Sequence, residues 1–168
     1  MKVYHLVFRY LLLILLGLKD LFIFYIIFTP LTVYPVLFIL SLFYTVSLNN
    51  TTIFINFFPI HLVEACIAGS AYYLLIILNL ATPMPIKKRV LSIIFSISLL
   101  WIINIFRILV FSVLFMNFFS LANFLHMLTW YFLSAVLVFL IWYITIKVFK
   151  IKDIPVYTDL KNIFRKLK

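Results

Sequence analysis

From Val90 to Ile146 the chain carries one formal charge, Arg107, and one histidine, His126. Nothing constrains the fold more than this stretch. A soluble domain of this size must present a polar exterior, because so much of a small domain is surface. At 168 residues, 67% hydrophobic and 11% charged, the chain lacks the residues to build one. Its solvent is therefore lipid.

Five apolar runs are each long enough for a membrane helix, at about 8–28, 31–48, 62–81, 90–117 and 122–146. Lys19-Asp20 interrupts the first, and Pro35 falls near the start of the second, where an early helical turn tolerates it. Between the second and third, Asn49-Asn50-Thr51-Thr52 is turn-like and Thr52 to Phe57 is β-prone, which predicts a short extended piece over the outer face. Two overlapping sequons at Asn49 and Asn50 fit a loop outside the cytoplasm. The expected architecture is all-α: residues 1–168 form one polytopic integral membrane helix bundle of about five transmembrane segments, with a short extracytoplasmic extended loop.

The net charge of +10 sits at the ends of the runs: Lys2 and Arg9, then Lys87-Lys88-Arg89, then Lys147 onward. This is the arrangement of topology signals, which hold Lys and Arg on the cytoplasmic side, and it argues against nucleic acid as a partner. The break Ala81-Thr82-Pro83-Met84-Pro85 and the basic tail, residues 150–168, are both placed inside. In the tail, Leu160, Ile163, Phe164 and Leu167 have the spacing of an interfacial helix, and a solvated basic tail accounts for them equally. The N-terminal orientation stays open. Strict alternation puts Lys2 and Arg9 outside, against the charge rule; a tilted or re-entrant second run puts them inside. No small-residue cleavage site follows the first run, so it reads as a retained segment, and a single cysteine excludes an intramolecular disulfide.

Counting helical rise from the basic anchors converts sequence into depth. Cys66 lies about 25 Å from the Pro83 break, Arg107 about 27 Å from Arg89, and His126 about 31 Å from Lys147, against a hydrocarbon core of about 30 Å. All three reach one level near the outer boundary. There the thiol of Cys66 can serve as a nucleophile, the permanent charge of Arg107 can stabilise a thiolate or a developing oxyanion, and His126 can take and return a proton. Taken singly, a cysteine in an apolar helix is a small hydrophobe and a histidine at a helix end an interfacial residue. A mid-segment arginine in lipid demands a reason. Gly69, Ser70 and Tyr73 continue the face of Cys66 on a straight helix, with Gly69 allowing close approach, and Asn104 stands one turn before Arg107, where it can bond the guanidinium or a substrate carbonyl. His61 is a weaker base candidate, Glu64 a surface residue, and Trp130 an interface anchor.

Glu64-Ala65-Cys66 followed by Gly69, then Asn104-x-x-Arg107, then His126 on successive helices resemble the archaeosortase/exosortase family of membrane-embedded transpeptidases. The resemblance runs from about Leu31 to Tyr143 and is best from His61 onward. It implies an enzyme that cleaves the C-terminal sorting signal of exported proteins, a motif followed by a transmembrane helix and a basic end. A lipid-type anchor in the membrane then takes the acyl group from the acyl-enzyme. By position it implies Cys66 as nucleophile, Arg107 as stabiliser of thiolate or oxyanion, and His126 as general base, with no cofactor. Many members carry Ser or Thr and then Gly directly after the cysteine; here the run is Cys66-Ile67-Ala68-Gly69, so the hydroxyl is absent and the glycine stands one place later. The competing expectations are a non-enzymatic membrane scaffold or transporter subunit in which Arg107 pairs with a partner helix, and a metal or haem site on Cys66 and His126, for which two soft ligands are an incomplete set.

Overall fold

The computed structural model describes residues 3–17, 21–118, 120, 125–127, 134–151 and 155. Helix α1 (Val3–Leu16) is followed by α2 (Phe22–Ser41), then strands β1 (Val46–Asn49), β2 (Thr52–Ile55) and β3 (Phe58–His61). Helices α3 (Glu64–Ile67), α4 (Gly69–Ala81), α5 (Ile86–Asn117) and α6 (Ser134–Phe149) complete the described elements, with 125–127 helical between the last two. The chain is mostly helical. Helices α2 and α5, of 20 and 32 residues, are long and apolar enough to cross a membrane, whereas α4 and α6 are shorter apolar helices.

Side-chain pairs fix the directions of the helices. Asn79 of α4 meets Ser92 and Ser96 near the start of α5, while Asn104 reaches back to Cys66, so α3–α4 and α5 run antiparallel. Phe95 packs on Phe149 and Arg107 on Ser134, so α6 is antiparallel to α5. The buried Arg9 donates from Nε to the carbonyl of Leu80 at 2.6 Å, and the hydroxyl of Tyr73 donates to the carbonyl of Leu13 at 2.9 Å, so α1 climbs from the 82–85 loop alongside α4. Helix α2 continues that climb. Tyr25 packs at Gly69, and the rings of Phe28 and Tyr72 stack with centroids 3.7 Å apart. The first two apolar runs thus ascend in series, and Arg9 lies at the same end as Arg89. This resolves the open N-terminal direction relative to the other helices. The Lys19-Asp20 interruption and the tail beyond residue 155 lie outside the described residues, as does Trp130.

Two expectations are corrected. Helix α2 does not break near residue 30; it runs through both Pro30 and Pro35. A proline removes the hydrogen bond to the carbonyl four residues earlier. For Pro35 that carbonyl belongs to Leu31, and the indole Nε1 of Trp101 on α5 donates to it at 2.8 Å. The expected straight helix over 62–81 is two helices, because Ala68 takes a left-handed conformation with φ 61° and ends α3 as it begins α4.

Of the expected extended piece, Thr52 to Phe57, the first four residues are the middle strand of a three-stranded antiparallel meander in the order β1-β2-β3, and Asn56 and Phe57 turn into β3. Alternation puts Ile53 and Ile55 of β2 inside, in one core with Val33, Val36 and Leu40 of α2 and Ile105 and Ile108 of α5. A second core lower in the bundle joins Phe24, Phe28, Tyr72, Leu75, Leu100, Ile141 and Trp142. The sheet therefore caps one end of the helices, and β3 leads straight into Cys66.

Candidate active site

Cys66 is the third residue of the four-residue helix α3, whose start is tied by Cys66 N–H donating to the carbonyl of Val63 at 2.8 Å. The left-handed turn at Ala68 separates this short helix from α4 and points its residues away from the α4 face. Asn104, buried on α5, donates from Nδ2 to the backbone carbonyl of Cys66 at 2.8 Å. The nucleophile candidate is thus held by its main chain, leaving its Sγ to face a cavity.

That cavity encloses about 400 Å³ and is lined by Cys66, Arg107 and His126 together. One wall is the stretch 58–63, which is β3 and its exit; the other is α5 through Ile108, Phe111, Ser112 and Phe115. The Sγ of Cys66 lies 4.0 Å from Nε2 of His126, the outer limit for a hydrogen bond to sulfur. Arg107 donates from Nη2 to the carbonyl of Ala65 at 3.4 Å and from Nη1 to the hydroxyl of Ser134 at 3.3 Å. These bonds hold its guanidinium beside the thiol. The His126 ring is flanked edge-on by Phe111 and Phe115, with centroids at 5.6 and 6.0 Å. A second, apolar cavity of about 300 Å³ between α5 and α6 also ends at Arg107 and Ser134.

Of the residues singled out from sequence, Cys66, Arg107 and His126 are brought together. Gly69 faces Tyr25 of α2: a Cβ there would stand 2.9 Å from the Tyr25 ring, so it permits helix packing below the cavity and does not line it. Ser70 is exposed, and Tyr73 points to α1 with its hydroxyl on Leu13. The turn at Ala68 is the physical reason: beyond it the helical face of Cys66 is not continued. Asn104 bonds the Cys66 carbonyl and neither the guanidinium nor the cavity. His61 lines the cavity from β3, exposed, with its Nδ1 3.0 Å from the hydroxyl of Thr52.

Phe111, Phe115 and Ser134 were not foreseen. Phe111 and Phe115 follow Arg107 at i+4 and i+8, a helical-face signal present in the sequence; for Ser134 and the Ala65 carbonyl no such signal exists. Cys66 and His126 offer two soft donors, and among the described residues no group of three or more His, Cys, Asp or Glu is gathered. Comparison of the chain with known protein families, with characterised proteins and with solved structures finds no match.

Proposed function

We propose that this protein is a membrane-embedded cysteine transpeptidase that cleaves the C-terminal sorting signal of exported proteins and transfers them to a lipid-type anchor. The observation that carries the reading is the placing of a thiol, an imidazole and a guanidinium from three separate segments around one cavity, with Sγ and Nε2 at 4.0 Å. The topology that suits it has the five apolar runs making four crossings, the first two in series. Arg9, Lys87 to Arg89, Lys147 and the tail are then all cytoplasmic, in accord with the charge rule, and the cavity and sheet lie at the extracytoplasmic face.

In this mechanism Nε2 of His126 takes the thiol proton and Sγ attacks the carbonyl carbon of the scissile peptide. The tetrahedral oxyanion forms beside the Arg107 guanidinium, whose charge cannot be lost. Collapse breaks the C–N bond, and the leaving amine, still attached to the membrane helix of the signal, takes the proton from His126. The thioester is then attacked by a hydroxyl or amine of the acceptor, which gives its proton to His126, and the thiolate departs and recovers it. Asn104 holds the Cys66 main chain throughout.

The test is co-expression with an exported protein of the same genome that ends in an apolar helix and a basic cluster, followed by its mass. Cys66→Ala, made to the same level, is expected to abolish the shorter, anchored product. Unchanged processing would overturn the proposal and favour a scaffold, in which Cys66 tolerates alanine.

A further inference from the structure

The turn joining β2 to β3 has two residues, Asn56 and Phe57, and both have positive φ, 47° and 70°. Such turns match the twist of a hairpin and select Asn and Gly. Asn56 conforms; Phe57 does not. A bulky residue in this region is strained, and nothing in the fold repays it, because Phe57 is 97% exposed and packs on nothing. Strain that a glycine would remove, spent on an aromatic ring held in the open, points to something the ring meets outside the chain.

The surroundings say what that is. On α2, Ile23, Ile27, Leu31, Tyr34 and Phe38 are all exposed and recur on one helical face. The stripe ends in Leu42 and Phe43, also exposed. Two residues later the chain is pinned to the turn: Asn56 N–H donates to the Thr45 carbonyl at 3.0 Å and the Thr45 hydroxyl to Oδ1 of Asn56 at 2.7 Å. The meander thus folds back so that the residue before Phe57 is bonded to Thr45, two residues past the end of the apolar stripe. The opposite turn, after Asn49, is polar. A continuous apolar surface on a helix long enough to span a bilayer is lipid-facing, and Phe57 extends it.

We propose that the Asn56–Phe57 turn is a membrane-interface anchor, with the Phe57 ring seated among the lipid headgroups and upper acyl chains of the leaflet nearest the sheet. Phe58 begins β3 and lines the cavity, so the anchor holds the mouth of the Cys66 cleft at the lipid surface, where a membrane-borne substrate or acceptor is presented. The inference rests on the membrane reading of the chain and not on its chemistry.

The single native cysteine makes the test direct. On a Cys66→Ser background, Phe57→Cys, Phe43→Cys, Phe38→Cys and Asn49→Cys are each labelled with a polarity-sensitive fluorophore. The proteins are reconstituted in phosphatidylcholine vesicles carrying a nitroxide high on the acyl chain. Labels at 57 and 43 are expected to emit to the blue and to be quenched about twofold or more over the label at 49, as for a side chain buried a few ångströms below the headgroups. Phe43→Cys keeps the test alive if the turn does not accept cysteine. Quenching at 38 with water-like emission at 57 and 43 would overturn the anchor and leave the membrane reading standing. Water-like emission at all four positions would overturn both.

Discussion

The two ends of the α4–α5 pair meet the same difficulty, polar side chains among apolar helices, and resolve it in opposite ways. At the lower end Asn79, Ser92 and Ser96 are fully buried and closed on one another. Asn79 donates to the Leu75 carbonyl at 2.8 Å and to Ser96 at 3.3 Å, Ser92 donates to Asn79, and Ser96 donates to the Ile93 carbonyl at 3.1 Å. At the upper end the approaches are longer, 3.3 and 3.4 Å for Arg107 and 4.0 Å between Cys66 and His126, and the groups border a cavity. The lower cluster completes itself and specifies packing. The upper one holds Cys66 by its carbonyl, Arg107 by the Ala65 carbonyl and the Ser134 hydroxyl, and His126 between two rings, and leaves their reactive atoms room for a guest.

The sharpest way to break this contrast is Arg107→Lys. Lysine keeps the charge but loses the fork that bridges Ala65 and Ser134, and processing is expected to fall about 10²- to 10³-fold, the cost of removing one oxyanion donor. The thermal midpoint in detergent should move little; a large drop would assign Arg107 to packing like its lower counterparts. Asn79→Leu tests the other half. It leaves the buried Ser92 hydroxyl without its acceptor and removes one bond from Ser96, and is expected to cost about 1–3 kcal/mol in unfolding, with processing per folded molecule unchanged. Loss of activity without loss of stability there would erase the division. The smallest effect is expected at the root of the upper site. Ala68→Gly relieves a left-handed alanine at the price of a more flexible unfolded chain, for a net gain of about 0.5–1 kcal/mol in unfolding free energy. A decrease would mean that the methyl of Ala68 is needed by its neighbours.

Position 68 also shows what can be read along the chain and what cannot. The structure has there the left-handed backbone that glycine favours. Yet alanine gives no sign of a bend, so Ser70 and Tyr73 read as neighbours of Cys66 when they are not. That Cys66, Arg107 and His126 share a cavity is in keeping with their similar helical rise from the basic clusters. That argument works in one dimension only. It says nothing of rotation about the helix, which is why Asn104 reads as a partner for the guanidinium or a substrate carbonyl when it grips the Cys66 carbonyl. The meander was half legible: Thr52 to Ile55 has strand chemistry, whereas Pro59 and Phe57 speak against a strand and a tight turn, and Pro59 is tolerated because β3 is an edge strand. The direction of α1 depended on a carbonyl of Leu80 accepting from Arg9, a partner 71 residues away.

The bond from Trp101 to the Leu31 carbonyl has a consequence for assembly. Helices α2 and α5 are long and apolar enough to cross a membrane; in the proposed lipid setting no hydrophobic drive acts between them, and two smooth apolar surfaces can slide past each other at little cost. A slip of one turn would displace α2 by about 5.4 Å along α5. It would carry with it the sheet and the stretch 58–63 that walls the Cys66 cavity. Pro35 frees the Leu31 carbonyl on α2, and Trp101 is the donor that meets it. The proline that looks like a flaw in the helix is a notch, and the indole is the pawl that rests in it and holds α2 in the register that walls the cleft.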